Sequence, residues 1–448
     1  MTGKYFEEYK RFLDKGKTET ETVRMVWEMA LSQGFRPFPG EKEREEYPVS
    51  YQPGERLIQN IRGKGLVLAV IGNRPLKEGC KMIAAHVDSP RLDLKPEPLH
   101  GKEGLVYLKT HYYGGIKKYQ WTCIPMALHG RLTDRNGQTR TVVIGENQGE
   151  PVLGISDLLY HLSGSQMEQR TEDAVPGEKL QLLSGIWGSE GTGDAGVRTY
   201  LKEQFDLDME DLKTAEFEAV PAWKASDFGL DRSMISAYGQ DDRVCAYGAV
   251  RALFDNGIPE FTSVVLLSDQ EEVGSESSAG LRSRAFLELL SHVAESQNTS
   301  LYRVMAKAEC LSADVVCGHD PMYPEATDFQ NTAKMGKGMV MVRYTGRGGK
   351  KGNHSASAAF MGKISGILEE NQILWQCGEM GAVDAGGGTT VAKCLAEWGA
   401  EVLDVGVPLL SMHSPMELSA KADIWNFYLG MKAFLKDSKP HLCENVLY

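Results

Sequence analysis

Four consecutive apolar residues, Val264-Val265-Leu266-Leu267, run through Ser268 straight into Asp269-Gln270-Glu271-Glu272, with a glycine at 274. A short apolar run without period-two alternation is the pattern of a strand covered on both faces, which belongs in an α/β layer with helices on either side. The chain supplies the partners. Leu66–Ile71 and Met82–His86 are two more buried runs, separated by Gly- and Pro-containing punctuation. Beyond residue 235 strands are expected at 263–268, 311–316, 339–344 and within 401–412, alternating with helices at 241–256 and 277–295. Near the start, Val23, Val26, Trp27, Ala30 and Leu31 fall at helical spacing over 18–34, with Thr18 or Thr20 as N-cap and Gly34 past the end.

Between about 95 and 230 the texture changes. Leu105–Tyr113, Ala127–Thr133 and Thr139–Ile144 alternate apolar and polar residues, and Asn136-Gly137 marks a tight hairpin between the last two. The segment closes with a Gly-rich 185–197 and an acidic Phe205–Glu218. It reads as a β-containing second domain inserted into the first. At 448 residues the chain is indeed too long for one simple core.

Net charge −12, from 49 basic and 61 acidic side chains, repels phosphate backbones and anionic lipid, so neither nucleic acid nor a membrane surface is an expected partner. The first residues are charged throughout and lack the apolar core of a secretory signal, and no run approaches about 20 apolar residues. The expected compartment is the cytoplasm. Eight cysteines without C-x-x-C spacing read as reduced, packed thiols, Cys317 among them.

The chemistry gathers where the core strands end, the usual place for sites in α/β proteins. His86 leaves its strand two residues before Asp88, so both lie on one face of an extended segment and Asp88 could orient the imidazole. Alone, H-x-D is more often a locally satisfied histidine. Gln240-Asp241-Asp242-Arg243 opens a helix; one aspartate would cap it or pair with Arg243 while the other reaches a cation. Three carboxylates after the 263–268 strand would repel one another without a cation, and adjacent glutamates point to opposite sides. If Glu272 binds a metal, Glu271 is free for general acid/base work.

Asp314, an acid within an otherwise apolar strand, and His413 complete the set. His319 competes as a ligand, whereas His354 and His161 read as surface or hydrogen-bonding residues. His86, Asp241, Glu272, Asp314 and His413 together form a mixed N/O set that suits zinc, with cobalt or manganese as alternatives. Five ligands are too many for one ion. With Asp241 shared, two ions each receive one imidazole, one terminal carboxylate and the common carboxylate.

In order along the chain, Ala84-Ala85-His86-Val87-Asp88-Ser89-Pro90-Arg91, Asp241-Asp242-Arg243, Asp269-Gln270-Glu271-Glu272-Val273-Gly274-Ser275, Ser312-Ala313-Asp314 and Ser411-Met412-His413-Ser414-Pro415 resemble the aspartyl aminopeptidases, within the di-zinc co-catalytic aminopeptidases. The resemblance implies an α/β metallopeptidase domain with a mixed sheet sandwiched by helices, at 1–91 and 235–448, and an inserted β-rich dimerisation domain at 92–234. It implies two Zn2+ per subunit, one held by His86, Asp241 and Asp314 and the other by Asp241, Glu272 and His413. Glu271 is then the general base and Asp88 the residue that orients His86. Short peptides are the implied substrates, with an acidic N-terminal residue preferred, and dimers assembling into a dodecamer the implied homo-oligomer.

The insertion departs from the family where a histidine that reaches a neighbouring subunit's site would align: Tyr119 stands there. Arg343 and the glycines of Asp384–Thr390, Gly387 and Gly388 among them, are candidates for the substrate side, against an ordinary ion pair and a plain turn. The alternatives to aminopeptidase chemistry are deacylation of N-acyl amino acids on the same site, or a non-catalytic scaffold.

Overall fold

The computed structural model describes residues 2–39, 50–133, 136–186, 194–346, 348–352, 354–384 and 386–441. The chain divides into two units. The first comprises Met1–Asp88, Ala225–Met412 and Glu417–Tyr448; the second comprises Ser89–Lys224 with the short stretch His413–Met416.

The first unit is built on a nine-stranded sheet: β1 (Arg36–Pro37), β2 (Arg56–Ile61), β3 (Gly65–Val70), β4 (Cys80–His86), β5 (Thr262–Ser268), β6 (Glu309–Ala313), β7 (Met339–Val342), β8 (Trp375–Cys377) and β9 (Glu401–Gly406). Their spatial order is β1-β2-β3-β5-β4-β6-β9-β7-β8. The four central strands, β5, β4, β6 and β9, are mutually parallel, while β3 and β7 run antiparallel to them on the flanks. The alternation of side chains assigns each apolar run to two faces. Ile83, Ala85, Val265, Leu267, Leu311 and Leu403 face a core shared with helices α1 (Thr2–Lys15), α2 (Glu19–Ser32), α3 (Gln240–Phe254), α4 (Ala358–Glu370) and α5 (Lys421–Lys436). Met82, Ala84, Val264, Leu266, Cys310 and Val402 face a second core with Phe286, Leu289, Leu290 and Val293. Two cores, one per face, explain why these strands carry no polar alternation.

Local sequence explains the ends. Thr18 and Glu21 form a reciprocal capping box at the start of α2. At the start of α3, Gly239 adopts φ +65°, and a Cβ there would stand 1.4 Å from Nη2 of Arg243, so only glycine fits. A separate five-stranded sheet in the same unit uses Ser226–Phe228, Met234–Ala237, Glu417–Ala420, Pro408–Leu410 and Val316–Cys317, in that order.

Three expectations change. The helix expected over 277–295 is shorter: the Ser277 hydroxyl accepts from the amides of Ala279 and Gly280, which makes a turn there, and the helix runs only over Glu288–Ser296 after a short turn at Arg284–Leu287. Asp314 lies just past β6 rather than within it. Its amide still reaches Val405, but the chain then leaves the large sheet to pair with Pro408–Leu410 in the small one. The strand ending in Arg343 stops at Val342, and Arg343 is exposed.

The second unit carries a six-stranded antiparallel sheet in the order Thr139–Ile144, Met126–Thr133, Glu216–Pro221, Arg91–Lys102, Leu105–Tyr113, Gln181–Ile186. Pairing in the first hairpin ends at Thr133 and Thr139, so the connection is a longer loop around Asn136-Gly137 than a two-residue turn; residues 134–135 lie outside the described residues. The glycine-rich 185–197 likewise falls mostly outside them.

Candidate metal centre

Because β5, β4 and β6 are parallel neighbours, their C-terminal ends deliver Asp269–Glu272, His86 and Asp314 to one edge of the sheet. His86 is 1% exposed. Its Nε2 stands 3.3 Å from Oδ1 of Asp241 and 3.7 Å from Oδ1 of Asp314. Ligands about 2.0–2.2 Å from a tetrahedral zinc are separated from one another by roughly 3.3–3.5 Å, so this spacing suits an ion at their centre. Its other nitrogen, Nδ1, lies 3.0 Å from the main-chain oxygen of Asp88 and 3.3 Å from the carboxylate Oδ1. A proton held at Nδ1 by these acceptors leaves the Nε2 lone pair for a metal.

Asp88 does more than orient His86. Its fully buried carboxylate accepts the amide of Glu271 at Oδ1 and that of Glu272 at Oδ2, both at 3.2 Å. Two positive-φ residues, Gln270 and Gly274, bracket this turn, and Glu271–Val273 is one 3-10 turn. The glutamates therefore diverge around a helical turn and not across an extended strand, which corrects the expectation from their adjacency.

A second set forms around Asp241: ligand atoms of Asp241, Glu272 and His413 all lie within 4.8 Å of one another, as do those of His86, Asp241 and Asp314. His413 is carried on the turn between strands Pro408–Leu410 and Glu417–Ala420, and adopts φ +63°. Its Nδ1 is 2.8 Å from the Gly115 carbonyl, which leaves Nε2 free of that contact. Two imidazoles, each with Nδ1 engaged, and three carboxylates with Asp241 in common form two candidate metal-ligand clusters, and the donor chemistry fits a pair of zinc-type ions.

Electrostatics point the same way. Burial pushes the Glu271 carboxyl up to about 8; His86 pulls it down, while Asp314, Asp88 and Asp241 add to the rise. Burial likewise raises Asp314, against the opposing hydrogen bond from His86. Acids crowded out of water this way are what a bound cation relieves.

Two buried acids outside both ligand clusters lie beside this edge: Asp242, the second of the paired aspartates, and Asp404, which no motif marks. Asp242 is fully buried, its carboxyl raised chiefly by burial and then by the Asp314 charge, with His86 opposing, and its Oδ2 accepts the His86 amide at 3.3 Å. Asp404 on β9 is raised to about 6 by burial, and its Oδ1 accepts the Thr390 hydroxyl at 2.6 Å. The Arg243 guanidinium donates to main-chain oxygens of Gly239 (2.7 Å), Tyr238 and Gly16.

Other candidates lie outside both ligand groups. His319 Nδ1 is 2.7 Å from the Thr327 hydroxyl, with its ring edge-on to Phe329. His354 Nε2 is 2.8 Å from the Val402 carbonyl, and His161 belongs to an exposed turn at Tyr160–Leu162. Burial raises the Cys317 thiol. Gly387 has φ +136°, and the Gly388 carbonyl accepts the Gly346 amide at 2.7 Å. Tyr119, in the turn Lys118–Trp121, is exposed.

The family model for Aminopeptidase I zinc metalloprotease (M18) matches residues 12–435. The chain belongs to the M18 aminopeptidase family. It is 40% identical over 440 residues to Probable M18 family aminopeptidase 1 of Clostridium acetobutylicum, covering 96% of this chain and 94% of that protein. The crystal structure of an M18 family aminopeptidase from Thermotoga maritima superposes with a TM-score of 0.91 at 36% identity, over 97% of this chain and 96% of that one. That of aminopeptidase I from Clostridium acetobutylicum gives 0.89 at 38% identity, over 96% and 95%. The protein is thus a zinc-type metallo-aminopeptidase of the M18 family, and its two candidate ligand clusters suggest a di-metal site. Among the described residues no helix is long and apolar enough to cross a membrane.

Proposed function

We propose that this M18 member releases N-terminal residues from short peptides in the cytoplasm, with Glu271 as general base at a site where Asp241 is shared between two zinc ions. His86 and Asp314 complete one ligand set, Glu272 and His413 the other. The observation that carries this reading is the sharing of Asp241 by both clusters, beside a Glu271 carboxyl that belongs to neither. Zinc bound there would acidify a water and draw negative charge from the substrate carbonyl oxygen.

Glu271 takes a proton at its carboxylate and returns it to the departing amine. It is suited to this because Asp88 fixes the backbone of 271 and 272 together, so the proton carrier and its neighbouring ligand keep one spacing. Asp88 also sets the His86 tautomer. Arg343, Gly387 and Gly388 are assigned to the substrate side, and a preference for acidic N-terminal residues follows from the resemblance to aspartyl aminopeptidases. We assign dimerisation to the second unit, with dimers assembling into a dodecamer; its segment Leu158, Leu159, Tyr160, Leu162 and Met167 leaves five large apolar side chains exposed.

The test is a panel of aminoacyl substrates with Asp, Glu, Leu, Met and Lys, each with a free or an acetylated amine, presented to zinc-loaded protein. Hydrolysis of the free-amine forms supports the proposal, and the rank of Asp and Glu reads the acidic preference. Hydrolysis confined to the acetylated forms would establish deacylation instead.

A further inference from the structure

Glu417 is the first residue of the strand Glu417–Ala420, four residues after His413, and is 1% exposed. It belongs to neither ligand cluster. Its Oε2 accepts the main-chain amide of Asp241 at 3.0 Å. Its own carbonyl accepts Nε2 of Gln240 at 2.8 Å, and Glu417 pairs with Ala237 across the small sheet. The Gln240 side-chain oxygen in turn receives the hydroxyls of Tyr9 and Ser419. Strand 417–420 and the entry to α3 are thereby tied at consecutive residues.

The reason for a carboxylate at this point is local. The first amides of a helix have no partner within the helix, and Asp241, at ψ 108°, is not yet helical. A buried orphan amide on the shared ligand would be free to tilt. A carboxylate supplied from another strand satisfies it, and negative charge is favoured at the positive end of the 15-residue α3. The same side chain anchors the far end of the turn that carries His413.

We infer that Glu417 is a positioning residue for the metal centre: it caps the Asp241 amide and so fixes the carboxylate that both ions use. The inference rests on the di-metal reading of the site. Partners that orient ligands are worth about 10–100-fold in metal affinity. Apo protein titrated with zinc against a chromophoric chelator should take up two ions, and Glu417→Ala should weaken at least one of the two constants by about 10–100-fold. Glu417→Gln, whose amide oxygen still accepts, should recover most of that loss.

A capping role for fold alone would lower the melting temperature of the apo variant and leave the zinc constants where they were. Unchanged constants in Glu417→Ala, or a Glu417→Gln as weak as Glu417→Ala, overturns the inference. Should Glu417→Ala fail to fold, Glu417→Asp withdraws the acceptor by one methylene and carries the test, with unchanged constants again decisive against it. Failure of the wild-type chain to bind zinc would instead overturn the di-metal reading itself.

Discussion

Lys81→Met should destabilise the first unit out of proportion to the size of the change. Lys81 lies on β4, the strand that ends in His86, and its Nζ is 2.6 Å from Oδ2 of Asp437 and 3.5 Å from Oε2 of Glu309. Lys363 completes the cluster, 2.7 Å from Oε1 of Glu309 and 3.6 Å from Oδ2 of Asp437. All four side chains are at most 7% exposed. Burial, with the neighbouring Lys363 charge, pulls the Lys81 ammonium below its ordinary value, while Glu309 and Asp437 oppose the fall. Two cations face two anions, so removing one cation leaves a buried charge without compensation, a loss of about 3–5 kcal/mol. For a cooperative unit of roughly 300 residues the unfolding entropy is about 0.6 kcal/mol/K, so the melting temperature should fall by about 5–8 °C. Calorimetry at fixed protein concentration, zinc concentration and scan rate reads it. Lys81→Met combined with Glu309→Gln restores the balance and should lose less than the sum of the two single changes. A fall below about 1 °C for Lys81→Met, or strict additivity in the double variant, would refute the reasoning.

Gly239→Ala should cost about 3–5 kcal/mol, from the left-handed backbone it requires and from displacing the Arg243 guanidinium off its main-chain acceptors; melting near that of the wild type would contradict this. Native-state alkylation followed by mass spectrometry should label the exposed Cys123 first, and Cys80, pushed up to about 12 by burial, only on unfolding, with Cys245 and Cys310. Labelling of Cys80 at the rate of Cys123 would show that its core opens under native conditions.

Much of this architecture is visible in sequence because β4, β5 and β6 are buried on both faces, so that stretches such as Met82–Ala85 and Val264–Leu267 are apolar runs without alternation. The candidate ligands His86, Glu272 and Asp314 stand at or just beyond the ends of those strands, where a change from apolar to ionisable residues is conspicuous. The small sheet is less legible. Its strands are two to four residues long, too short for a period to declare itself, and they pair segments far apart in the chain. Glu417 is not legible for a related reason: its place is defined by a hydrogen bond across a long stretch of sequence, which its carboxylate accepts from the Asp241 amide. The late start of the helix expected over 277–295 turns on one hydroxyl, Ser277, competing for backbone amides.

The most direct test of the account is Glu271→Gln with zinc content and peptide hydrolysis measured on the same preparation. Glu271 belongs to neither ligand cluster, so the variant should bind two zinc ions like the wild type and lose about 10²–10⁴-fold in kcat, as expected for removal of a general base. A variant that binds two ions and hydrolyses peptides at the wild-type rate would contradict the assignment of Glu271 as the proton carrier.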